Sequence, residues 1–207
     1  GSDRLLVGHS PPTGPILERI NGILELYSSD MTSTKRIDFI SWHEYSKPVP
    51  ETANREKEIR SLLSKHGLPQ NLPMFITEHE PFHGSSEVDQ LDYHSRNTAY
   101  LPKSLYFTSL YSPGINIFPW VLYHDRRIQT KFMWFDGPNK PDTKASEIRM
   151  LPLGASMKML SMHKGREIKV DNYAESNDLV IASVQKDKII VQAINYDAPK
   201  DVKLSLN

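Results

Sequence analysis

Cysteine is absent from this 207-residue chain. That excludes a disulfide framework, a thiolate metal site and a cysteine nucleophile. It leaves the compartment open, because many exported proteins also lack cysteine. Net charge is missing as well: 25 basic residues balance 25 acidic ones. Nothing therefore favours nucleic acid or a membrane surface as partner. No apolar run approaches the roughly 20 residues that span a bilayer, and no signal peptide is visible at the start. The compartment stays unassigned, with a secreted or periplasmic location compatible. There is no internal repeat and no low-complexity segment. What is present, 38% hydrophobic and 24% charged residues, suits a globular protein able to bury a core.

Short apolar runs alternate with helical patterns over the first three quarters of the chain. Leu5-Leu6-Val7 reads as a strand end, closed by the turn-rich residues 8–14. Ile16, Leu17, Ile20, Ile23, Leu24 and Tyr27 have helical spacing. Residues 37–42 form the next strand pattern. Residues 51–66 form a charged helix with Ile59, Leu62 and Leu63 inward and Gly67 as C-cap. Met74-Phe75-Ile76-Thr77 is a third strand. A helix within residues 88–111 ends at Ser112-Pro113-Gly114, and a fourth strand opens at Ile115. Such alternation indicates right-handed βαβ units and a parallel sheet. Four strands are too few for a closed barrel, which takes about 250 residues. The pattern by itself fits a half barrel or a small open α/β sheet. Residues 146–162 read as one more amphipathic helix. Beyond Gly165 the pattern is antiparallel β, with strands at 180–184, 189–194 and 202–206 and a hairpin connection at Gln185-Lys186-Asp187-Lys188.

In parallel α/β folds ligands meet the C-terminal ends of the strands. Those ends carry Ser41-Trp42-His43-Glu44-Tyr45, then Thr77-Glu78-His79-Glu80, then Pro119-Trp120 continuing to Asp125. A carboxylate, imidazoles, a phenol and an indole thus share one rim. An indole stacks on the apolar face of a pyranose, and His, Tyr and Glu bond its hydroxyls. A carboxylate there can also attack an anomeric carbon. Alternation sets His43 and Tyr45 on one side and Glu44 on the other. Blander readings stand beside these. Glu78 as a surface carboxylate, His43 as a packed histidine and Trp120 as a core residue satisfy the same pattern. Trp42 and Trp134 are assigned to packing or loop contacts, and Arg126-Arg127 to solvated charge.

His79-Glu80-Pro81-Phe82-His83 spells the zinc-protease pattern H-E-x-x-H. That chemistry needs both histidines on one helical face. Pro81 inside the motif removes a backbone donor and clashes with the preceding turn, so the zinc reading is set aside.

At this point the chain resembles glycoside hydrolase family 39, a clan A family of retaining glycosidases. Residues 7–14 are similar to the family's "vGGPatag" segment after the fifth barrel strand. Residues 38–45 are similar to its "DFiS-H-Y" sixth strand, and residues 73–78 to its seventh, which ends in "iTE". Trp120 and Asp125 match the eighth strand, Asn139-Lys140-Pro141 the "KP" linker, and residues 190–196 a strand of the C-terminal β domain. His9 stands where the family has glycine.

The resemblance implies a fold: residues 1–163 as the C-terminal half of a (β/α)8 TIM barrel, strands 5 to 8, and residues 164–207 as part of an antiparallel β-sandwich-like domain. It implies Glu78 as catalytic nucleophile, with His43, Tyr45, Trp120, His79 and Asp125 as substrate contacts. The substrate class implied is a glycan or oligosaccharide, a β-xyloside or a uronic-acid-containing glycan, in polysaccharide degradation. No cofactor and no metal are called for. Retaining hydrolysis needs two carboxylates about 5–5.5 Å apart. The family's acid/base glutamate, in an Asn-Glu pair on the fourth strand, has no counterpart in this sequence. The expected partner is therefore the missing N-terminal half of the barrel, which would also close the open sheet edges. A non-catalytic carbohydrate-binding protein on the same scaffold is the alternative.

Overall fold

Four parallel strands and the helices that join them organise the first part of the chain. The computed structural model describes residues 5–7, 15–31, 36–45, 49–80, 90–119, 133–135, 148–150, 152–171 and 178–195. The chain divides into two compact units. The first comprises Gly1–His83 and Ser104–Trp120, the second Gly84–Lys103 and Val121–Asn207.

In the first unit the elements are β1 (Leu5–Val7), α1 (Ile16–Ser29), β2 (Ile37–Tyr45), α2 (Val49–Lys65), β3 (Met74–Glu80), the later part of α3 (Gln90–Tyr111) and β4 (Ile115–Pro119). The strands are all parallel, in the order β1-β2-β3-β4. The order follows the chain without reversal.

α1 forms because Ile16, Ile20 and Leu24 recur every four residues and are buried together. α2 buries Ile59 and Leu63 beside them. It starts with Glu51 in the first turn and ends with Lys65 in the last, as the helix dipole favours. Its end is a Schellman motif: Gly67 adopts φ 70°, its N–H donates to Ser64 O, and the Leu68 N–H donates to Leu63 O. Both helices cover one face of the sheet. Ile40 and Trp42 of β2, Met74 and Ile76 of β3 and Ile115 of β4 point into that shared core. Fully burying each such side chain contributes about 1.5–3 kcal/mol.

The opposite face carries an aromatic row. Phe39 meets Phe75 edge-on, with centroids 5.4 Å apart, and Phe75 stacks on Phe118 at 6.3 Å. Phe118 is 51% exposed. Gly114, just before β4, lies close under the ends of the Arg60 and Glu56 side chains, which would have to shift to admit a Cβ there. Those two groups form a salt bridge at 2.5 Å, and Arg60 also donates to the Gln70 carbonyl.

The second unit contains a two-stranded antiparallel ladder, β5 (Met133–Phe135) with β6 (Ile148–Met150), then α4 (Pro152–Leu160). Here the sequence expectation is corrected. A helix was expected from residue 146, but residues 148–150 pair as a strand and the helix starts at Pro152. Proline suits a first helical position, where its missing N–H has no intrahelical partner to lose. A three-stranded antiparallel sheet follows, β7 (Arg166–Ile168), β8 (Asp178–Gln185) and β9 (Lys188–Asn195). β8 and β9 form the expected hairpin, closed by the pair Gln185↔Lys188, with Lys186 at φ 52°. β7 was not anticipated. The strand expected at 202–206 lies outside the described residues. The buried Gln192 amide of β9 donates to Ser156 O of α4 at 3.1 Å, tying helix to sheet. Among the described residues no helix is long and apolar enough to cross a membrane.

Candidate active site

The C-terminal ends of β2 and β3 bring three of the expected residues together. β2 alternates regularly from Ile40 onward. Ile40, Trp42 and Glu44 therefore face the helices, and Ser41, His43 and Tyr45 face the other way. On β3, Met74 and Ile76 face the helices, so unbroken alternation would send Glu78 there too. It does not go there. The register runs Ile40↔Met74, Ser41↔Phe75, Trp42↔Ile76 and then steps to His43↔Glu78. Thr77 is the extra residue of a bulge, and the shift turns Glu78 onto the face of His43 and Tyr45.

The geometry that results is specific. The Tyr45 hydroxyl donates to Glu78 Oε2. His43 Nδ1 lies 3.0 Å from the same oxygen. The Tyr45 hydroxyl and the His43 imidazole thus both bear on one carboxylate oxygen. The two rings stand edge to face, 6.2 Å between centroids, which holds each against the other. The Glu78 side chain keeps 32% of its exposure while that of His43 keeps 10%. The carboxylate is thus held from behind and open in front.

His79 is placed differently from the expectation of a substrate contact. The same bulge that turns Glu78 outward turns His79 inward, to the helix-covered face. It is fully buried. Its Nδ1 bonds Glu44 O at 3.0 Å and its Nε2 bonds Ser104 Oγ at 2.7 Å. With both ring nitrogens used inside the protein, it offers no atom to a substrate. His79 and Glu80 also lie on a strand, so they do not form the helix that the zinc pattern needs. His83 is outside the described residues, as are Trp120 and Asp125.

The sequence reading missed a second polar cluster behind the sheet. Trp42 Nε1 donates to Glu44 Oε2 at 2.6 Å, and Arg55 of α2 lies 3.7 Å from Glu44 Oε1. Its signal was the alternation itself, which sets Trp42 and Glu44 together on the helix side. Among the described residues no group of three or more His, Asp or Glu side chains is arranged to hold a metal ion.

No family model matches the sequence, and no curated protein matches it. Among solved structures, the fold is similar to that of the GH39 enzyme from Xanthomonas axonopodis pv. citri. The TM-score is 0.53 and the identity 19%, over 89% of this chain and 37% of that one. A GH39 β-xylosidase from Caulobacter crescentus aligns with a TM-score of 0.49 and 19% identity, over 89% of this chain and 38% of that one. The chain spans little more than a third of the length of these enzymes. It is a mixed α/β structure with parallel and antiparallel sheets, GH39-like in fold.

Proposed function

We propose that the complete protein carrying this chain is a retaining glycoside hydrolase and that Glu78 is its nucleophile. The observation that carries this reading is the meeting of the Tyr45 hydroxyl, as donor, and His43 Nδ1, at 3.0 Å, on one oxygen of a part-exposed carboxylate. Both groups address Oε2, and neither addresses Oε1. Oε1 is therefore the attacking atom. It bonds the anomeric carbon as the glycosidic C–O bond breaks. The electron pair of that bond leaves on the departing oxygen, which takes a proton from a general acid. Water, deprotonated by the same group, then releases the glycosyl ester.

The general acid belongs to a second carboxyl group about 5–5.5 Å from Glu78, supplied by barrel strands outside this chain. The aromatic row Phe39-Phe75-Phe118 supports that arrangement, because it presents apolar surface on the face opposite the helix-packed core. In this reading the parallel strands β1 to β4 are strands 5 to 8 of a (β/α)8 barrel, residues 1–163. Residues 164–207 then begin a β-sandwich-like accessory domain. The sequence resemblance favours a β-xyloside or a similar glycan as substrate, with Trp120 and Asp125 among its contacts.

The test is covalent trapping of the complete protein with a fluorinated mechanism-based β-glycoside, followed by peptide mass spectrometry. The expected label is on Glu78. A label on Glu80 or Glu44, or binding of oligosaccharide without any label or turnover, overturns the reading; the second result identifies a carbohydrate-binding protein on the same scaffold.

A further inference from the structure

The bulge in β3 decides where the Glu78 carboxylate points, and the residues on both sides of Glu78 are tied to β2 in a matching way. Thr77 Oγ1 donates to Trp42 O at 3.2 Å. His79 Nδ1 bonds Glu44 O at 3.0 Å. A carbonyl only accepts, so the Nδ1 proton makes this bond. In the neutral ring, Nε2 then accepts from the Ser104 hydroxyl, 2.7 Å away. Trp42 and Glu44 are the two chain neighbours of His43. Two side-chain bonds therefore frame the His43↔Glu78 pair, one on each side, at the point where the regular ladder is interrupted.

A bulge disrupts the ladder locally and re-aims a side chain. Without support, the segment could revert to regular alternation. Thr77 would then oppose His43, and Glu78 would face the layer of Met74 and Ile76, both wholly buried. One-residue slips of this kind exchange the two faces of a strand. The outer bond, from Thr77, lies toward solvent. The inner bond, from His79, is buried and is backed by Ser104 on α3.

We propose that Thr77 and His79, with Ser104 behind the imidazole, are positioning residues that hold the β3 bulge and keep Glu78 Oε2 against Tyr45 and His43 of β2. The proposal rests on the reading of Glu78 as nucleophile for its catalytic consequence, but its structural core can be tested without catalysis.

The experiment uses the complete protein with Thr77→Val, which keeps the shape and removes the hydroxyl, and Thr77→Ser, which restores it. Ile59→Val in the helix-side core serves as a control that loosens packing without touching the bulge. Two readouts are taken. The first is steady-state kcat and KM on an aryl β-glycoside, with the saturating rate of fluoroglycoside labelling. The second is the protected His43 Nδ1 proton signal in the 15N-histidine NMR spectrum. Expected for Thr77→Val is a fall of about tenfold in kcat and labelling rate, with KM within about twofold, since a misplacement near 1 Å costs up to about a hundredfold. The His43 signal should be lost to exchange. Thr77→Ser should recover both, and Ile59→Val should lower only the melting temperature. An unchanged His43 signal in Thr77→Val overturns the proposal, as does an equal rate loss in Ile59→Val. If Glu78→Ala turns over normally while Thr77→Val still loses the His43 signal, the nucleophile reading fails and the positioning role stands.

Discussion

The ends of β2 and β3 carry the same three kinds of side chain on both faces, in opposite surroundings. On one face stand Glu78, His43 and Tyr45; on the other, Glu44, His79 and Trp42. The Glu78 side chain is 32% exposed and that of Glu44 0%. Glu44 receives an indole N–H and sits beside Arg55, and His79 is bonded at both nitrogens. Glu78 meets the Tyr45 hydroxyl and His43 Nδ1 on one oxygen and stays part-exposed. A carboxylate, an imidazole and an aromatic ring do not by themselves make a site. What separates the faces is access: the Glu78 carboxylate is part-exposed, whereas that of Glu44 is enclosed.

The sharpest way to break this comparison is to remove each carboxylate in the complete protein. Glu78→Ala should lower kcat by about 10⁴-fold or more, on the scale that losing a covalent nucleophile costs, with urea unfolding unchanged. Glu44→Ala should do the reverse. Taking one partner from a buried ion pair costs about 3–5 kcal/mol, and Arg55 keeps Glu58 as a second partner, so about 3 kcal/mol is expected in the unfolding free energy. Equal kinetic losses from the two variants at a temperature where both are folded would erase the distinction between the faces.

Tyr45→Phe is expected to have a smaller effect. It removes one hydrogen bond to a charged acceptor, worth about 1.5–3 kcal/mol, so kcat should fall about ten- to a hundredfold. Circular dichroism and the melting temperature should stay near the wild type. A large loss of stability with intact kcat would make Tyr45 a packing residue like Trp42.

The smallest effect concerns an imidazole of the second unit. His163, between α4 and β7, has its pKa lowered from 6.5 because burial disfavours the charged ring. Its Nδ1 lies 2.9 Å from Ser183 Oγ of β8. A lowered value means that the unfolded chain binds the proton more readily. The contribution is therefore complete above about pH 6.5 and is lost as pH falls from there through the folded value. Denaturant unfolding at pH 7.5 and 5.0 should show a larger acid-induced loss in the wild type than in His163→Asn. An equal loss in both removes this histidine from the account.

Much of the first unit was legible because its signals are local. The four-residue spacing of Ile16, Ile20 and Leu24 marks a helix with one buried side, and Gly67 marks the end of α2. The short strands β5, β6 and β7 were not read as strands, since their pairing is set by partners elsewhere in the chain. Ile148 to Met150 was read as helix because it adjoins a real one.

At the site, the sequence by itself determined the cast: His43 and Tyr45 on one side of β2 by alternation, and Glu78 at the end of the next strand. It could not assign the neighbours Glu78 and His79 to opposite faces in the right sense. That depends on phase, and phase is a property of pairing between strands. Counting by twos from Met74 and Ile76 sends Glu78 into the core, and only the Thr77 bulge against Trp42 and His43 reverses it. The tertiary structure decided the matter because a buried, unpaired carboxylate is costly, whereas the imidazole of His79 finds both Glu44 O and Ser104 Oγ in the same interior.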